Sequence, residues 1–419
     1  MKQLNPVYFK LLLAFVFVVS LSAITRANPE VAKVDSLKLG KRTVALPTWF
    51  SLKSGIGITT PDKFFSIYMR FRIQSRVGYI STSDKDFTPE EFDFRVRRIR
   101  LRLGGYIYTP ALTYNIQLSF SRADMDWDVS GVPNVLRDAM ISYTIPQGFT
   151  FSMGQGKLPG NRQRVNSSGE LQFADRSIVN GALTLDRDFG AFVNYTNHYK
   201  DFHFIIKTAI TSGEGRNIVK TDKGLAYTAR VEFLPLGKFT DGGDYFEGDL
   251  VGEKKPKLNF GGVVSYNHLA QRTGGQLGLN LYEPKNMLSA MGDLVLKYRG
   301  FAFTSEYLYR KVDNPKSFNE DSSSMRYAYA GMGVNTQASY CFKKPMVEIA
   351  VRHSLLVPSV QIQDKEKMKS EYAICLTKYF MGHKLKIQTD LTYQRQYDMV
   401  KKANHHNNLG WRFQIELGI

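Results

Sequence analysis

The sequence predicts an all-β protein: a 16-stranded antiparallel transmembrane β-barrel of the outer-membrane type, with short periplasmic turns and long external loops. Three observations predict this fold, namely apolar and polar residues that alternate along the chain, connections that alternate between long and short, and an export signal at the N-terminus. The mean hydropathy of -0.27 excludes a helical membrane bundle, because a spanning helix needs roughly 20 consecutive apolar residues.

The N-terminus has the features of a secretory signal. Lys2 and Lys10 precede an apolar run from Leu11 to Ser20, and small residues follow it. We predict cleavage after Ala27, with Ala23 as the alternative, and therefore expect the protein to leave the cytoplasm. The predicted organisation is a signal peptide at 1–27, an N-terminal periplasmic segment at 28–63 and a barrel domain at 64–419.

Alternation bounded by turn residues predicts sixteen strands. They lie near 64–80, 94–108, 111–122, 137–145, 149–157, 187–196, 202–210, 225–233, 257–267, 291–299, 301–310, 326–342, 346–356, 371–380, 383–395 and 408–419. Long and short connections alternate between them, except at 234–256, and this alternation with an even strand count is typical of outer-membrane barrels. The alternative is a soluble β-sandwich, which would not need outward faces so continuously apolar.

The first two predicted strands carry arginine at alternate positions. These arginines share one face of each strand, because side chains repeat with a period of two. They are Arg70, Arg72, Arg76, Arg98, Arg100 and Arg102. Unpaired charge is too costly to bury in an apolar core, so this face must meet water or an anion while the other face meets lipid.

A symmetric hairpin about residue 87 places arginines opposite one another on the two strands. This register pairs Arg76 with Arg98 and Arg72 with Arg102, and it sets Arg100 opposite Gln74. Like charges across a ladder are destabilising, so the register predicts a compensating anion or a lumen that attracts anions. The alternative is that the arginines pair with carboxylates of the lumen wall, such as those of Glu306, Glu348 and Asp390.

The predicted third external loop, 158–186, is the candidate constriction loop. Its basic side chains, with those at its two ends, are Lys157, Arg162, Arg164, Arg176 and Arg187. The nearby carboxylates are those of Glu170, Asp175 and Asp186. These cations extend the predicted anion-binding wall; the alternative is an exposed, solvated loop.

Other chemistry finds no support in the sequence. Gly156-Lys157 lacks the first Gly and the Ser/Thr of a phosphate-binding loop, and His405-His406 has no third ligand at a metal-site spacing. Cys341 and Cys375 lie in separate predicted strands, and we expect no disulfide between them. We therefore expect no enzyme activity, no cofactor and no metal site. We also expect no nucleic-acid partner, because inward arginines account for the net charge of +18.

Several motifs, in this order, resemble the phosphate-selective porin O and P family. They are Lys53 to Asp62, Phe71 to Gln74, Arg97 to Gly104, Asp138 to Ile141, Gly154 to Pro159, Ser167-Ser168, Asp175 to Val179, Gly243 to Asp249 and Lys255 to Leu258. The resemblance implies a 16-stranded barrel, a homotrimer in outer-membrane lipid, and diffusion of anions along an arginine ladder. It carries over to Arg98, Arg100 and Arg102 on the second strand and to Arg176 in the loop, and less specifically to Arg70 and Arg72.

Together these observations predict an outer-membrane porin of a Gram-negative cell that passes phosphate, polyphosphate or other small anions. The principal alternative is a general diffusion porin with a weak preference for anions. Two further alternatives are a barrel enzyme, for which no nucleophile and base stand out, and an adhesive barrel with a plugged lumen.

Overall fold

The computed structural model describes residues 36–39, 42–45, 48–51, 55–82, 88–127, 133–218, 221 and 223–419. The predicted signal peptide lies outside these residues. The chain divides into two units, Met1–Pro47 and Thr48–Ile419. Within the first unit, Ser36–Leu39 pairs antiparallel with Arg42–Ala45.

The second unit is a closed antiparallel barrel of sixteen strands, β1 to β16, counted here in chain order. Their bounds are Phe65–Ser81, Arg95–Ile107, Leu112–Ser119, Leu136–Thr144, Phe149–Lys157, Arg187–Tyr199, Phe202–Thr211, Ala226–Leu234, Lys257–Arg272, Asn280–Tyr298, Phe301–Val312, Gly331–Phe342, Val347–Pro358, Met368–Tyr379, Leu385–Asp398 and Ala403–Gly418. β16 closes the barrel on β1, with Trp411 opposite Tyr79. The predicted fold class is confirmed, and each strand overlaps one predicted from the sequence.

Several strand boundaries differ from the prediction by a few residues, and three differences change the strand pairing. β10 begins at Asn280 rather than near 291, because its first part extends the hairpin with β9 through two register shifts. The predicted strand 326–342 is divided, and Met325–Tyr327 pairs instead with Lys316–Phe318 inside a loop. Residues assigned to the N-terminal segment also join the barrel sheet, since Gly55–Thr59 pairs with β1.

The connections keep the alternation of short turns and long loops. The loop 158–186, called L3 below, contains helices α1 (Arg162–Val165) and α2 (Ile178–Leu183). On the short-turn side, the connection 235–256 is the long exception and contains a 3-10 segment at Thr240–Tyr245. Among the described residues, no helix has the length and apolar character needed to cross a bilayer.

The two faces of the wall differ as a lipid-facing barrel requires. Large apolar side chains such as Ile141, Met153 and Phe189 are exposed on the outside. The largest buried apolar cluster lies inside the barrel instead, where Val179 and Leu183 of α2 pack against the wall. Cys341 and Cys375 are both buried free thiols.

Candidate functional site

L3 lies inside the barrel and is bound to the wall opposite its own strands. Arg162 Nε donates to Asp293 Oδ1 at 2.9 Å, and Arg162 Nη2 donates to Glu232 Oε2 at 2.9 Å. Arg310 Nη2 donates to Leu183 O at 3.1 Å and to Thr184 O at 2.9 Å, at the C-terminal end of α2. Because these groups are buried, L3 is fixed across the lumen.

The 235–256 connection folds into the lumen from the short-turn side and meets L3. Lys297 Nζ on β10 donates to Gly243 O at 2.6 Å and to Phe246 O at 2.7 Å. Glu247 N donates to Glu170 O at 2.9 Å, and Gln172 N donates to Glu247 Oε2 at 2.7 Å. The two connections therefore brace each other and fill one side of the lumen.

The other side of the lumen is an open cavity of about 680 Å³. It lies between L3 and the strands that carry the arginines. Thirteen Arg and Lys side chains and six Asp and Glu side chains line it, an excess of seven positive charges. A wall with this imbalance attracts anions and repels cations.

Most of the predicted site residues lie at this cavity. Nine of the eleven line it: Arg70, Arg72, Arg98, Arg100, Arg102, Lys157, Arg164, Arg176 and Arg187. Arg76 and Arg162 do not. Arg76 is buried behind the cavity against Asp175, and Arg162 anchors L3 on the opposite wall.

The predicted hairpin register is wrong by two residues. β1 and β2 pair Arg70 with Arg102, Arg72 with Arg100, and Gln74 with Arg98. The error arises because the connection is not symmetric about residue 87 and the ladder shifts register between Gln74 and Ser75. A shift of two keeps every arginine on its predicted face, since the side-chain period is also two.

The shift in register is a β-bulge that the sequence analysis missed. Arg97 is the extra residue of β2, so Arg97 and Arg98 both reach the lumen although they are adjacent in sequence. β4 repeats this arrangement, because the ladder shifts between Leu136 and Asp138 and brings both Arg137 and Asp138 to the cavity. Arg216 and Lys384 are further cations at the cavity that the sequence analysis did not predict.

Carboxylates compensate the external half of the arginine ladder. Arg100 Nε donates to Asp124 Oδ2 at 2.6 Å, and Arg76 Nη1 donates to Asp175 Oδ2 at 2.6 Å. Burial favours the neutral acid at Asp175, but Arg76, Arg97 and Arg412 hold the pKa of this carboxyl well below its usual range.

The carboxylates suggested from the sequence have other partners among the described residues. Glu306 accepts from Gln163 N at 2.8 Å, and Glu348 accepts from Gln172 Nε2 at 2.7 Å. Asp390 accepts from Arg412 Nε at 2.7 Å, and Arg412 belongs to β16 rather than to the arginine ladder.

The periplasmic half of the ladder differs, because three cations there have no carboxylate within ion-pair distance among the described residues. Glu170 lies close enough to interact with Arg70 and Lys384 but forms no ion pair with either. Within the part of the chain that the structure describes, Arg70 and Lys384 make no side-chain hydrogen bond or ion pair, and Arg102 donates only to Asn115. Arg70 and Arg102 lie directly opposite each other. Burial and the nearby Arg70 lower the pKa of Lys384, in a periplasmic turn, to about 8.

Ser168 of L3 joins the two halves. Arg72 Nη2 donates to Ser168 Oγ at 2.7 Å, and Arg100 Nη1 donates to the same oxygen at 2.8 Å. Because this oxygen accepts from two guanidiniums, its own proton is left to donate to a third atom. L3 approaches closely here, since a Cβ at Gly169 would lie 2.0 Å from Arg72 Nη1.

The chain is similar to known proteins in sequence and in fold. Residues 67–251 match the model of the family described as phosphate-selective porin O and P. Over these residues the chain is similar to this family. The match covers the arginine-rich strands, L3 and most of the 235–256 connection, and it supports an outer-membrane diffusion channel rather than an enzyme.

Solved structures agree on the fold. OprB of Pseudomonas putida aligns with 85% of this chain and 95% of its own, at 10% identity and a TM-score of 0.53. The outer membrane channel DcaP of Acinetobacter baumannii aligns with 88% of this chain and 99% of its own, at 10% identity and a TM-score of 0.51. No curated protein matches the chain significantly. Together with the family match, this fold makes the protein an outer-membrane β-barrel that crosses the membrane many times.

Proposed function

We propose that this porin is a passive, anion-selective channel for phosphate or polyphosphate. The observation that carries the proposal is the group of Arg70, Arg102 and Lys384, which form no ion pair among the described residues and lie beside Arg72 and the Ser168 hydroxyl. Cross-strand arginines without a carboxylate are unfavourable unless an anion occupies the site. A phosphate group suits it, because guanidiniums bind oxyanions through two parallel hydrogen bonds.

Passage needs only exchange of hydrogen bonds from one cation to the next. Arginines on alternate residues lie roughly 6.6 Å apart along a strand, so an oxyanion can bind the next one before it leaves the last. The order of sites from outside to inside would be the Arg98–Arg100 region, then Ser168 with Arg72, then Arg70 with Arg102. No cofactor and no covalent step take part.

The second candidate is a general porin with a weak preference for anions. It is favoured by ion pairs in the external half of the ladder, where Arg76 and Arg98 pair with Asp175 and Arg100 pairs with Asp124. Paired arginines solvate the wall but bind a free anion weakly. Phosphate block of the chloride current through single channels separates the two. Micromolar to low-millimolar phosphate should reduce the current under our proposal, whereas chloride and phosphate that permeate independently would support the general porin.

The family resemblance also supports a homotrimer that binds anions in outer-membrane lipid. Native mass spectrometry of the detergent-extracted protein tests the oligomer, with a mass of three chains as the expected result. A monomer of unchanged conductance would overturn it.

A further inference from the structure

A second pocket, called the external pocket below, lies beside the anion cavity at the external mouth of the barrel. It has a volume of about 410 Å³ and is bounded by α2 of L3 and by three external loops, 273–279, 313–330 and 359–367. Gly181 and Leu277 line both this pocket and the anion cavity, so the two spaces meet there. A molecule larger than a single ion can therefore extend from one space into the other.

The lining of the external pocket differs in chemistry from that of the anion cavity. Most of its side chains are apolar or aromatic, among them those of Leu277, Leu279, Met325, Tyr327 and Tyr329. Sites for small organic molecules have such walls, with a few polar groups that orient the ligand. The pocket thus suits an organic group rather than a hydrated ion.

The two charged side chains that line the pocket among the described residues already have partners. Arg326 Nη1 donates to Asn280 O at 2.6 Å, and its guanidinium lies 4.6 Å from the ring centre of Tyr282. Glu366 Oε1 accepts from Tyr327 Oη at 2.8 Å. One charge of each sign gives no net attraction for an anion, so the group that fits here is uncharged.

The lining favours a planar ring over a sugar. A sugar would bring several hydroxyls that each need a hydrogen-bond partner. Of the polar side-chain atoms buried at the pocket, the Tyr329 hydroxyl is without a partner among the described residues. An aromatic ring needs no such partners and packs against tyrosine rings and aliphatic side chains. The space is sufficient, because an apolar cavity of about 150 Å³ already binds benzene.

Helix α2 places the external pocket close to a cation of the anion cavity. Gly181 lines both spaces, Asn180 lines the anion cavity, and Arg176, which also lines it, lies two residues before the helix. Arg176 donates to Gln163 O at 2.6 Å and to Asn166 O at 2.9 Å and forms no ion pair among the described residues. A helix of six residues is only roughly 9 Å long, so a phosphate group and a ring joined to it can occupy the two spaces together.

We propose that the external pocket binds the aromatic ring of a phosphate monoester whose phosphate group binds in the anion cavity. The anions that the channel takes up then include aryl phosphate monoesters as well as inorganic phosphate. The inference rests on the proposed anion selectivity, because the cations of the cavity hold the phosphate group. The ring adds affinity by removing its apolar surface from water.

The test compares phenyl phosphate with methyl phosphate, which carries the same charge but no ring. Each is added to both sides of a planar bilayer as a blocker of the single-channel chloride current. We expect half-block by phenyl phosphate at a concentration about tenfold or more below that of methyl phosphate. The readout is the ratio of the two half-blocking concentrations, because a change in the anion cavity alone alters both alike.

Two variants assign the ratio to the external pocket. Gly181→Leu should bring it close to one, because a Cβ at Gly181 meets nothing within 4 Å and a longer side chain extends into the space where the cavities meet. Leu279→Ala removes an exposed side chain of the pocket and should lower the ratio about threefold, which keeps the test valid if Gly181→Leu does not fold. Leu236→Ala is the matched control for Leu279→Ala, since Leu236 is exposed and lines neither space, and it should leave the ratio unchanged.

A ratio near one in the unchanged protein would overturn the proposal, as would an unaltered ratio in both Gly181→Leu and Leu279→Ala. If methyl phosphate blocks the channel and phenyl phosphate blocks it no more strongly, only the ring site is refuted. A channel that neither monoester blocks, or that prefers cations, would refute the proposed function as well.

Discussion

Arg70 and Arg102, which form no ion pair among the described residues, give the sharpest prediction. Replacing either with Gln should weaken phosphate binding without weakening the barrel. A guanidinium about 5 Å from an anion contributes about 1–3 kcal/mol for effective dielectric constants of roughly 80 to 20. Each single variant should therefore raise the half-blocking phosphate concentration by roughly fivefold to a hundredfold.

The stability of the same variants should move in the opposite direction. Arg70 and Arg102 face each other across the ladder and neither forms an ion pair among the described residues, so removing one relieves a repulsion of about 0.2–1 kcal/mol. Arg395→Gln is the control, since Arg395 is exposed and does not line the cavity. It should change neither quantity.

The assay combines single-channel recording in planar bilayers with thermal unfolding in detergent. Weaker block with equal or higher thermal stability would support a site built for anions. The reasoning fails if Arg70→Gln or Arg102→Gln lowers the thermal stability while phosphate block stays unchanged. That result would mean that the arginines serve only to solvate the wall.

Three further predictions concern L3 and the periplasmic end. Arg162→Met leaves Asp293 and Glu232 short of a buried partner, so it should lower the free energy of unfolding by about 3–5 kcal/mol and raise the conductance as L3 loosens. Unchanged conductance would argue against this anchor. Lys384, with its pKa lowered to about 8, is charged below that pH and neutral above it, so sulfate block should weaken between pH 7 and 9, and Lys384→Met should remove that dependence. Ser168→Ala removes a donor to the anion and should weaken phosphate block by about fivefold, whereas equal block would show that the hydroxyl does not bind it.

The barrel was predictable because every second side chain of a lipid-facing strand must be apolar. Polar side chains on the lipid face are costly, so alternation predicted both the strand count and the face of the six ladder arginines. The register was not predictable, because it depends on where the hairpin turns. Even so, an error of two residues preserved the face of Arg70, Arg72 and Arg100.

Two pairs of adjacent charged residues, Arg97-Arg98 and Arg137-Asp138, indicate β-bulges that the sequence analysis did not predict. Arg97 and Arg137 fall at positions that strict alternation turns toward lipid, where an arginine costs about 2–4 kcal/mol at the bilayer midplane. A charged residue at such a position therefore predicts a β-bulge, and both strands contain one there. The partners of these arginines were out of reach, since Asp175 comes from a loop whose path through the lumen depends on tertiary contacts such as Arg162 with Asp293.

The central claim, that the open side of the lumen is an anion pathway, is tested most directly by the zero-current potential. It is measured on channels in a planar bilayer between two concentrations of potassium chloride at neutral pH. Thirteen basic and six acidic side chains line the cavity, so we expect a zero-current potential close to the equilibrium potential of chloride, as for an ideal anion channel. A zero-current potential near zero, or one displaced toward the equilibrium potential of potassium, would contradict an anion pathway.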